Sequence, residues 1–337
     1  MTDSDTDRET AIAEAVAQAA SCSSEAVSGV RLLGGGASKE NWAAVIDQNG
    51  DERAVVVRTE PENWRFAGSE TVSLSTEAAL LCVAHGKGVA VPELLFELNG
   101  KHGIKGYVMA HVAGETVGGR ILKSESLANA RSGLAYECGK TLAAIHRLPL
   151  SNLPSLESRS PAETVSFLRS QFEETEQDRP VFELALKWLD ENTPHDADRA
   201  LVHGDFRNGN LIVDAEGLRA VLDWETAHLG CPAEDLGWLC VTSWRFQRPE
   251  LAVGGFGTRE QLLEGYCAAG GQPWTLADLR YWEIYGTLRW GIMCAQVAKR
   301  FGDGQRSVES AVIARRASET EFDLLRLIAA EGDSDAG

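Results

Sequence analysis

The sequence predicts an α+β fold with two lobes, a small N-terminal lobe and a larger, mostly helical C-terminal lobe. Three observations support this interpretation. Short alternating or β-branched segments fill most of residues 1–112, which favours antiparallel strands. Long helical periodicities fill most of residues 113–337. Within that helical part, residues 200–225 form one β-like island with turn residues at its centre.

The N-terminal lobe is expected to contain five strands and one main helix. Residues 1–8 are acidic and polar and are expected to be a disordered tail, whereas the Ala-rich stretch 9–20 favours a helix. The strands are expected in the segments RLL, ENWAAVID, ERAVVVRTEP, VAVPELLFEL and GYVMAHV. Because a Gly-rich loop and Asn-Gly turns join several of them, they predict an antiparallel meander and not a βαβ unit. Residues 76–88, rich in Ala and Leu and ended by two glycines, are expected to be the main helix.

The C-terminal lobe is expected to be helical apart from one hairpin. Residues 125–148 carry apolar side chains at spacings of three and four, which is typical of an amphipathic helix. Further helices are expected over residues 161–174, 180–192, 259–270, 275–301 and 307–331. In the island, the segments LIVD and RAVLDW flank turn residues 215–217, which predicts a β-hairpin.

The charge balance argues against two classes of partner. The 337 residues include 32 Lys+Arg and 50 Asp+Glu, a formal net charge of −18. Nucleic acids and anionic membrane surfaces attract basic proteins, so we expect neither as a partner. The first residues lack the basic and apolar regions of a secretion signal, and no apolar run reaches the ~18 residues of a membrane span. A cytoplasmic location is therefore expected, and the oligomeric state stays open.

The most specific motif is HGDFRNGN at residues 203–210, followed by Asp-Trp-Glu at 223–225. Transfer of a phosphoryl group to a hydroxyl needs a carboxylate that orients the hydroxyl and accepts its proton, and oxygen ligands that hold Mg²⁺ on the nucleotide phosphates. Asp205 and Asn210 supply a carboxylate and an amide oxygen from one tight loop, and Asp223 supplies a second carboxylate. The order matches the protein-kinase catalytic loop H-R-D-x-x-x-x-N with its later D-F-G.

These residues resemble the aminoglycoside phosphotransferase/choline kinase superfamily, a branch of the protein-kinase-like fold. The resemblance covers residues 28–330 and is closest to bacterial phosphotransferase family proteins that resemble the kinase-like domain of certain acyl-CoA dehydrogenases. It implies ATP and Mg²⁺ as cofactors, Asp205 as the catalytic base, and Asn210 and Asp223 as metal ligands. Arg207 follows the base by two residues, where protein kinases carry a lysine facing the transferred phosphate. It is therefore either a catalytic residue that stabilises transition-state charge or a surface arginine.

Three neighbours of the motif have expected supporting roles. His203 is expected to pack and hydrogen-bond beneath the loop, and Asp235, in the segment PAEDLGWL, to tie down the loop backbone. Glu225 is a candidate for the hydrogen-bonding shell around the metal.

The nucleotide-binding residues are expected in the N-terminal lobe. The glycines of LGGGASKEN let backbone N–H groups approach phosphates, so Gly35, Gly36 and Ser38 are candidate phosphate contacts. The loop is neither a Walker A motif nor a dinucleotide fingerprint. Where kinases place a phosphate-pairing lysine held by a helical glutamate, this chain has Arg58 and Glu77. Arginine keeps the charge and can bind phosphate bidentately, although its reach differs from that of lysine. A surface strand residue is the alternative for Arg58.

The segment GYVMAHVAGE resembles the adenine-binding hinge between kinase lobes. The resemblance implies that Met109 flanks the adenine, while the carbonyl of Ala110 and the amide of Val112 bind its edge. Backbone recognition of this kind leaves the side chains unspecified.

The helix expected at residues 275–301 is apolar on nearly all sides and yet carries Glu283 and Arg289. Buried charges are costly unless they are paired or functional. Either the two residues pair with each other or with neighbours in the core, or Arg289, with Trp282 nearby, binds an anionic group of the substrate.

The sequence thus predicts an ATP- and Mg²⁺-dependent phosphotransferase that transfers the γ-phosphate to a hydroxyl of a small molecule. The resemblance favours a hydroxylated acyl compound or a hydroxy acid as the acceptor. An aminoglycoside or amino-alcohol kinase is one alternative, since the acidic composition suits a cationic substrate. A catalytically silent, nucleotide-binding scaffold is an alternative of another class, and the arginine at position 58 is its support.

Overall fold

The structure is a computed structural model, and it describes residues 3–34, 39–61, 71–194, 198–304 and 307–330. The chain divides into two compact units. The first unit comprises Met1–Gly114, Leu148–Leu156 and Arg219–Ala227. The second unit comprises Glu115–Arg147, Glu157–Leu218 and His228–Gly337.

A five-stranded antiparallel sheet forms the framework of the first unit, as expected. Its strands are β1 (Val27–Leu33), β2 (Glu40–Gln48), β3 (Asp51–Thr59), β4 (Leu94–Asn99) and β5 (Lys105–Ala110). They lie in the order β1-β2-β3-β5-β4. The Asn49-Gly50 turn joins β2 to β3, and both of its residues have positive φ angles, which a tight hairpin turn requires. In the register of the sheet, Arg58 of β3 lies opposite Tyr107 of β5.

Two helices complete the first unit, α1 (Asp3–Ala20) and α2 (Leu74–Gly86). The expectation of a disordered tail over residues 1–8 is wrong from Asp3 onward, because α1 already begins there. Arg8 anchors its first turns by donating from Nη2 to the carbonyl oxygen of Glu60 at 2.6 Å. The buried side chains of Ile12 and Val16 join the apolar core of the sheet. Tertiary contacts of this kind stabilise a helix whose own sequence is only weakly amphipathic.

The second unit is mainly helical. Its helices are α3 (Gly118–Lys123), α4 (Ala128–His146), α5 (Pro161–Glu173), α6 (Pro180–Glu191), α7 (Ala233–Cys240), α8 (Arg259–Ala268), α9 (Leu276–Gly302), α10 (Val308–Ala314) and α11 (Arg316–Ala329). The single helix expected over residues 307–331 is two helices, which meet at Arg315. Its core gathers apolar residues of α5, α6, α9 and α11, with the fully buried Phe182 among the largest side chains.

Four short strands surround the predicted motif. β6 (Ala200–Val202) pairs antiparallel with β9 (His228–Gly230), and β7 (Leu211–Asp214) forms a hairpin with β8 (Gly217–Val221). The expected hairpin is thus present, and the boundary between the two units falls within β8. The segment 203–210 is the connection between β6 and β7, so its ends are fixed by strands.

Among the described residues, no helix has both the length and the hydropathy of a membrane span.

Candidate active site

Asp235 of α7 fixes the backbone at the start of the 203–210 loop. Its Oδ2 accepts from the backbone N–H of His203 and its Oδ1 from that of Gly204, both at 2.8 Å, and His146 Nε2 lies 3.0 Å from Oδ2. Burial acts to raise the pKa of Asp235, but the hydrogen bond to His146 and the neighbouring His203 hold it below its usual range. The expectation that Asp235 ties down the loop is confirmed. Gly204 has φ +81°, a conformation that disfavours any residue with a Cβ.

Asp205, the expected base, has hydrogen-bond donors on both oxygens of its carboxylate. Oδ1 accepts from Arg207 Nε at 3.0 Å and from Trp238 Nε1 at 2.9 Å. Oδ2 accepts from Asn210 Nδ2 at 2.6 Å. Its side chain remains 21% exposed, so the carboxylate is both immobilised and accessible.

Arg207 lies beside this carboxylate and over an aromatic ring. Its guanidinium carbon is 4.7 Å from the ring centroid of Trp244, and its side chain is 28% exposed. Gly209 makes this position possible, because a Cβ there would lie 2.2 Å from Arg207 Nη1. The arginine therefore places a fixed positive charge next to Asp205, which is the arrangement that a charge-stabilising role requires.

The two asparagines of the loop have different partners. Asn208 is buried, and its Nδ2 donates to the carbonyl oxygens of Trp244 at 2.8 Å and Gly254 at 2.7 Å, which anchors the loop from below. Asn210 donates from Nδ2 to the carbonyl oxygen and to the carboxylate of Asp205. Since its amide nitrogen makes both bonds, its oxygen is the atom that it can offer to a cation.

His203 is fully buried, and its ring lies edge-on to Phe206 at a centroid distance of 6.0 Å. Its Nδ1 accepts from the backbone N–H of Asp205 at 3.2 Å. The expected packing role of His203 within the loop is confirmed.

In the first unit, Arg58 forms a network with three acidic side chains. Its Nε donates to Glu77 Oε2 at 2.8 Å, and its Nη2 donates to Asp223 Oδ1 at 2.5 Å and lies 3.6 Å from Glu225 Oε2. The hydroxyl of Tyr107 donates to the same Glu77 oxygen at 3.1 Å. The expected partnership of Arg58 and Glu77 is therefore present in the structure.

Burial and charge act against each other in this network. Burial acts to lower the pKa of Arg58, but Glu77 and Asp223 together raise it, so the guanidinium stays charged. Burial raises the pKa of Glu77 to about 7 against the opposing effect of Arg58, and it raises the pKa of Tyr107 well above its usual value. The result is a buried cation with two partly exposed carboxylates, Asp223 at 29% and Glu225 at 16%.

The backbone at Asp223 is in the left-handed region, with φ +66°. A non-glycine residue in this conformation is strained and is often found at functional sites. The conformation directs a carboxylate at the end of β8 toward Arg58.

Each of the two expected metal ligands suits Mg²⁺ bound with phosphate better than Mg²⁺ bound by protein alone. Across the described residues, no group of three or more His, Cys, Asp and Glu side chains is arranged to hold a metal ion. Asp223 of the first unit offers a carboxylate, and Asn210 of the second unit offers an amide oxygen. Mg²⁺ commonly takes one or two carboxylates plus substrate phosphates and water, so these residues fit that ion in kind.

The other nucleotide candidates are placed unevenly. Gly35, Gly36 and Ser38 lie outside the described residues. Met109 is buried in β5, opposite Val56 of β3. Ala110 is the last residue of β5, so Ala110 and Val112 lie where the chain leaves the sheet, and their contact with adenine stays a prediction.

The expected substrate residues on α9 are mostly internal. Trp282 is 1% exposed and packs against Tyr281 and Tyr285, a position that does not favour contact with a ligand. Glu283 pairs with Arg245 and Arg259 at 2.6 Å each. The pairing of Glu283 with neighbours is thus confirmed.

Arg289 is 8% exposed and donates from Nη1 to the carbonyl oxygen of Gly204 at 2.6 Å. Its guanidinium also lies over Trp238, with 4.8 Å between the guanidinium carbon and the ring centroid. It therefore contacts the 203–210 loop itself. Sequence reasoning missed Trp238, although its position three residues after Asp235 places both on one face of a helix.

The family model described as "Phosphotransferase enzyme family" matches residues 29–282 of this chain. The chain belongs to this family, and its fold is protein-kinase-like. The match includes both the Arg58 network and the loop that holds Asp205.

The curated relatives are named as acyl-CoA dehydrogenase family members. The chain is 31% identical over 282 residues to "Acyl-CoA dehydrogenase family member 11" of Gallus gallus, which covers 77% of this chain and 35% of the relative. The protein of the same name from Homo sapiens is 27% identical over 226 residues, 63% of this chain and 29% of the relative. The chain thus spans about a third of the length of these relatives.

Solved structures support the fold. A Ralstonia eutropha protein assigned to the aminoglycoside phosphotransferases has a TM-score of 0.71 at 20% identity, covering 90% of this chain and 92% of its own. Choline kinase from Cryptosporidium parvum has a TM-score of 0.64 at 11% identity, with 96% of each chain covered. Spectinomycin phosphotransferase in complex with ADP and spectinomycin has a TM-score of 0.56 at 14% identity, covering 88% of this chain and 91% of its own.

Proposed function

We propose that this protein is an ATP- and Mg²⁺-dependent phosphotransferase that moves the γ-phosphate of ATP to a hydroxyl group of a small molecule. The observation that carries the proposal is the carboxylate of Asp205, held by donors on both oxygens and still accessible. Phosphoryl transfer depends on positioning and electrostatics more than on covalent chemistry, and a fixed carboxylate supplies the positioning. Membership of the phosphotransferase family supports the same reaction class.

In the proposed reaction, Asp205 accepts a hydrogen bond from the acceptor hydroxyl and takes its proton as the oxygen bonds to the γ-phosphorus. The bond from that phosphorus to the β–γ bridging oxygen breaks, and ADP leaves with the electron pair. Arg207 stabilises negative charge on the transferred group, since its guanidinium is fixed beside the base. Arg58 binds the nucleotide phosphates. Asn210 and Asp223 would hold Mg²⁺, which would supply positive charge to the phosphates.

We propose a hydroxylated acyl compound or a hydroxy acid as the acceptor. Support comes from the curated relatives, because the chain is 31% identical over 282 residues to an acyl-CoA dehydrogenase family member. The partly exposed guanidinium of Arg207 beside the base is also suited to an acceptor that carries negative charge.

Two alternatives have specific observations in their favour. Spectinomycin phosphotransferase shares the fold, which keeps an aminoglycoside or amino alcohol as a candidate acceptor. The hydrogen bond from Arg58 occupies one oxygen of Asp223, the expected metal ligand, and this favours a nucleotide-binding scaffold without turnover.

An acceptor panel separates these functions. Purified protein is incubated with ATP and Mg²⁺ and with hydroxy acids, hydroxyacyl thioesters, aminoglycosides or choline, and ADP is measured. We expect ADP release with a hydroxy acid or hydroxyacyl compound, and loss of that release in Asp205→Asn. The matched control is Asp51→Asn, which removes an exposed carboxylate in β3 and is expected to keep wild-type turnover. Turnover with aminoglycosides alone would contradict the proposed acceptor, and thermal stabilisation by Mg²⁺·ATP without ADP release on any acceptor would support the scaffold.

A further inference from the structure

We infer that Trp238 is a positioning residue for the catalytic base, and that Oδ2 of Asp205 is the atom that accepts the hydroxyl proton. This inference rests on the proposed function. Nothing in the family match or in the relatives' names assigns a role to this tryptophan.

The hydrogen bonds at Asp205 distinguish its two oxygens. An ionised carboxylate offers about two lone-pair sites on each oxygen. Arg207 Nε and Trp238 Nε1 both donate to Oδ1, at 3.0 and 2.9 Å, and fill its sites. Among the side chains that the structure describes, Asn210 Nδ2 is the donor to Oδ2, so one site of this oxygen is left for the acceptor hydroxyl.

Trp238 is itself held rigidly. It is 4% exposed, its ring centroid lies 5.3 Å from that of Trp244, and the Arg289 guanidinium carbon lies 4.8 Å from its centroid. Arg289 also donates to the carbonyl oxygen of Gly204, next to the base in sequence. One arginine of α9 therefore contacts both the tryptophan that holds Asp205 and the loop that carries it.

Small residues allow α7 and α9 to approach closely enough for this contact. A Cβ on Gly237 would lie 2.4 Å from the backbone carbon of Trp282, and a Cβ on Gly286 would lie 3.2 Å from Trp238 Cε3. Trp238 is thus placed by close helix packing, and its indole N–H reaches Oδ1 from a fixed position.

The consequence for the reaction is a defined direction of proton transfer. The acceptor O–H bond breaks toward Oδ2, the freed oxygen forms the new P–O bond, and the electron pair of the broken P–O bond leaves with ADP. If the indole N–H is removed, Oδ1 keeps only the hydrogen bond from Arg207, so the carboxylate is held less firmly and the hydroxyl is less often aligned.

Kinetics test the role, with a matched control in the same cluster. Trp238→Phe keeps an aromatic ring and removes the N–H that donates to Asp205. Trp290→Phe makes the same change at a ring that packs on Trp244 but whose buried Nε1 has no hydrogen-bond partner among the residues that the structure describes. We expect Trp238→Phe to lower kcat about 10- to 100-fold with KM for ATP unchanged, as for loss of a hydrogen bond to a charged group, and Trp290→Phe to leave kcat within about twofold. Equal kcat values for the two variants would overturn the inference.

A second measurement does not depend on turnover. In protein labelled with ¹⁵N at the indole nitrogens, the Trp238 resonance is expected to lie downfield and to move upfield in Asp205→Asn, while the Trp290 resonance stays in place. An unmoved Trp238 resonance would show that the contact is absent and would overturn the inference. If the resonance moves but the wild-type protein transfers no phosphate to any acceptor, the contact stands and the proposed function, with the kinetic role of Trp238, fails.

Discussion

Arg58 and Asp223, 165 positions apart in the sequence, are joined by a hydrogen bond of 2.5 Å between Nη2 and Oδ1. The same guanidinium donates from Nε to Glu77, so one arginine holds a helix carboxylate and the expected metal ligand together. A lysine ammonium is a single point charge without this planar fork. The arginine at position 58 therefore has a structural explanation that is independent of whether the protein is active.

Arg58→Lys is expected to weaken the first unit. Arg58 donates charged hydrogen bonds to Glu77 and to Asp223, and lysine is expected to keep only one of them. Loss of the other should lower the free energy of unfolding by about 1.5–3 kcal/mol, and ATP binding should weaken as well. Urea unfolding and calorimetric titration with Mg²⁺·ATP measure the two effects. Arg53→Lys is the control: it lies on the same strand, and its ion pair with Glu93 is about half exposed, so a change of at most ~1 kcal/mol is expected. Equal effects at the two positions would contradict the importance of the fork.

Glu77 is expected to make stability depend on pH. Its pKa is raised from 4.5 to about 7 by burial, so the folded state binds the proton more tightly than the unfolded state does. Its contribution to stability is therefore complete below pH 4.5 and is lost as the pH rises through 7.

Glu77→Gln removes this titration. The difference in unfolding free energy between wild type and Glu77→Gln should shift in favour of the variant between pH 5 and pH 8, measured by urea unfolding at each pH. Glu52→Gln, at an exposed position of β3, should show no such trend. A shift in favour of the wild type over the same range would contradict a raised pKa of Glu77.

Gly209→Ala is expected to reduce activity more than stability. The new Cβ would lie 2.2 Å from Arg207 Nη1, the end of a movable side chain, so the arginine can shift away at little cost to folding. The shift removes its hydrogen bond to Asp205, and kcat should fall about tenfold or more while the melting temperature changes by no more than a few degrees.

Gly133→Ala provides the comparison, because a Cβ there meets nothing within 4 Å. It lies within α4 and should raise the free energy of unfolding by about 0.5–1 kcal/mol with turnover unchanged. A Gly209→Ala enzyme with wild-type kcat would show that Arg207 does not act through its position beside the base.

Asp235→Asn is expected to impair both folding and turnover. The buried carboxylate accepts from two backbone N–H groups and contacts His146, and an amide replaces one acceptor with a donor. A loss of about 3–5 kcal/mol in unfolding free energy is expected, because the partners of a buried charge are left unpaired. Glu216→Gln, an exposed position between β7 and β8, serves as the control in the same urea titration. A stable and fully active Asp235→Asn protein would contradict the assigned role in holding the loop.

The sequence predicted elements well where periodicity or turn residues were strong. The five strands, the hairpin after the 203–210 loop and the pairing of Arg58 with Glu77 were all predicted and are present. The first helix was predicted over residues 9–20, but its extension back to Asp3 was not, because its first turns depend on contacts such as that of Arg8 with Glu60, which lie far apart in the sequence.

Sequence motifs indicate the candidate catalytic residues but not the residues that hold them in place. Motif spacing identifies Asp205 and Asn210, since both lie on one short loop. Trp238 holds the same carboxylate from 33 positions away, and that contact follows from helix packing that no local pattern encodes. Arg289 and Trp282 lie on the same helix, but only the fold shows that one contacts the loop and the other is internal.

The most direct test of phosphoryl transfer through Asp205 is mass spectrometry of the acceptor. A hydroxy acid or hydroxyacyl compound is incubated with ATP, Mg²⁺ and either wild-type protein or Asp205→Asn, and the product is examined for a phosphate ester on the hydroxyl. The account predicts the ester with wild-type protein and its absence with the variant, which should remain folded. Formation of the same ester at an undiminished rate by Asp205→Asn would contradict it.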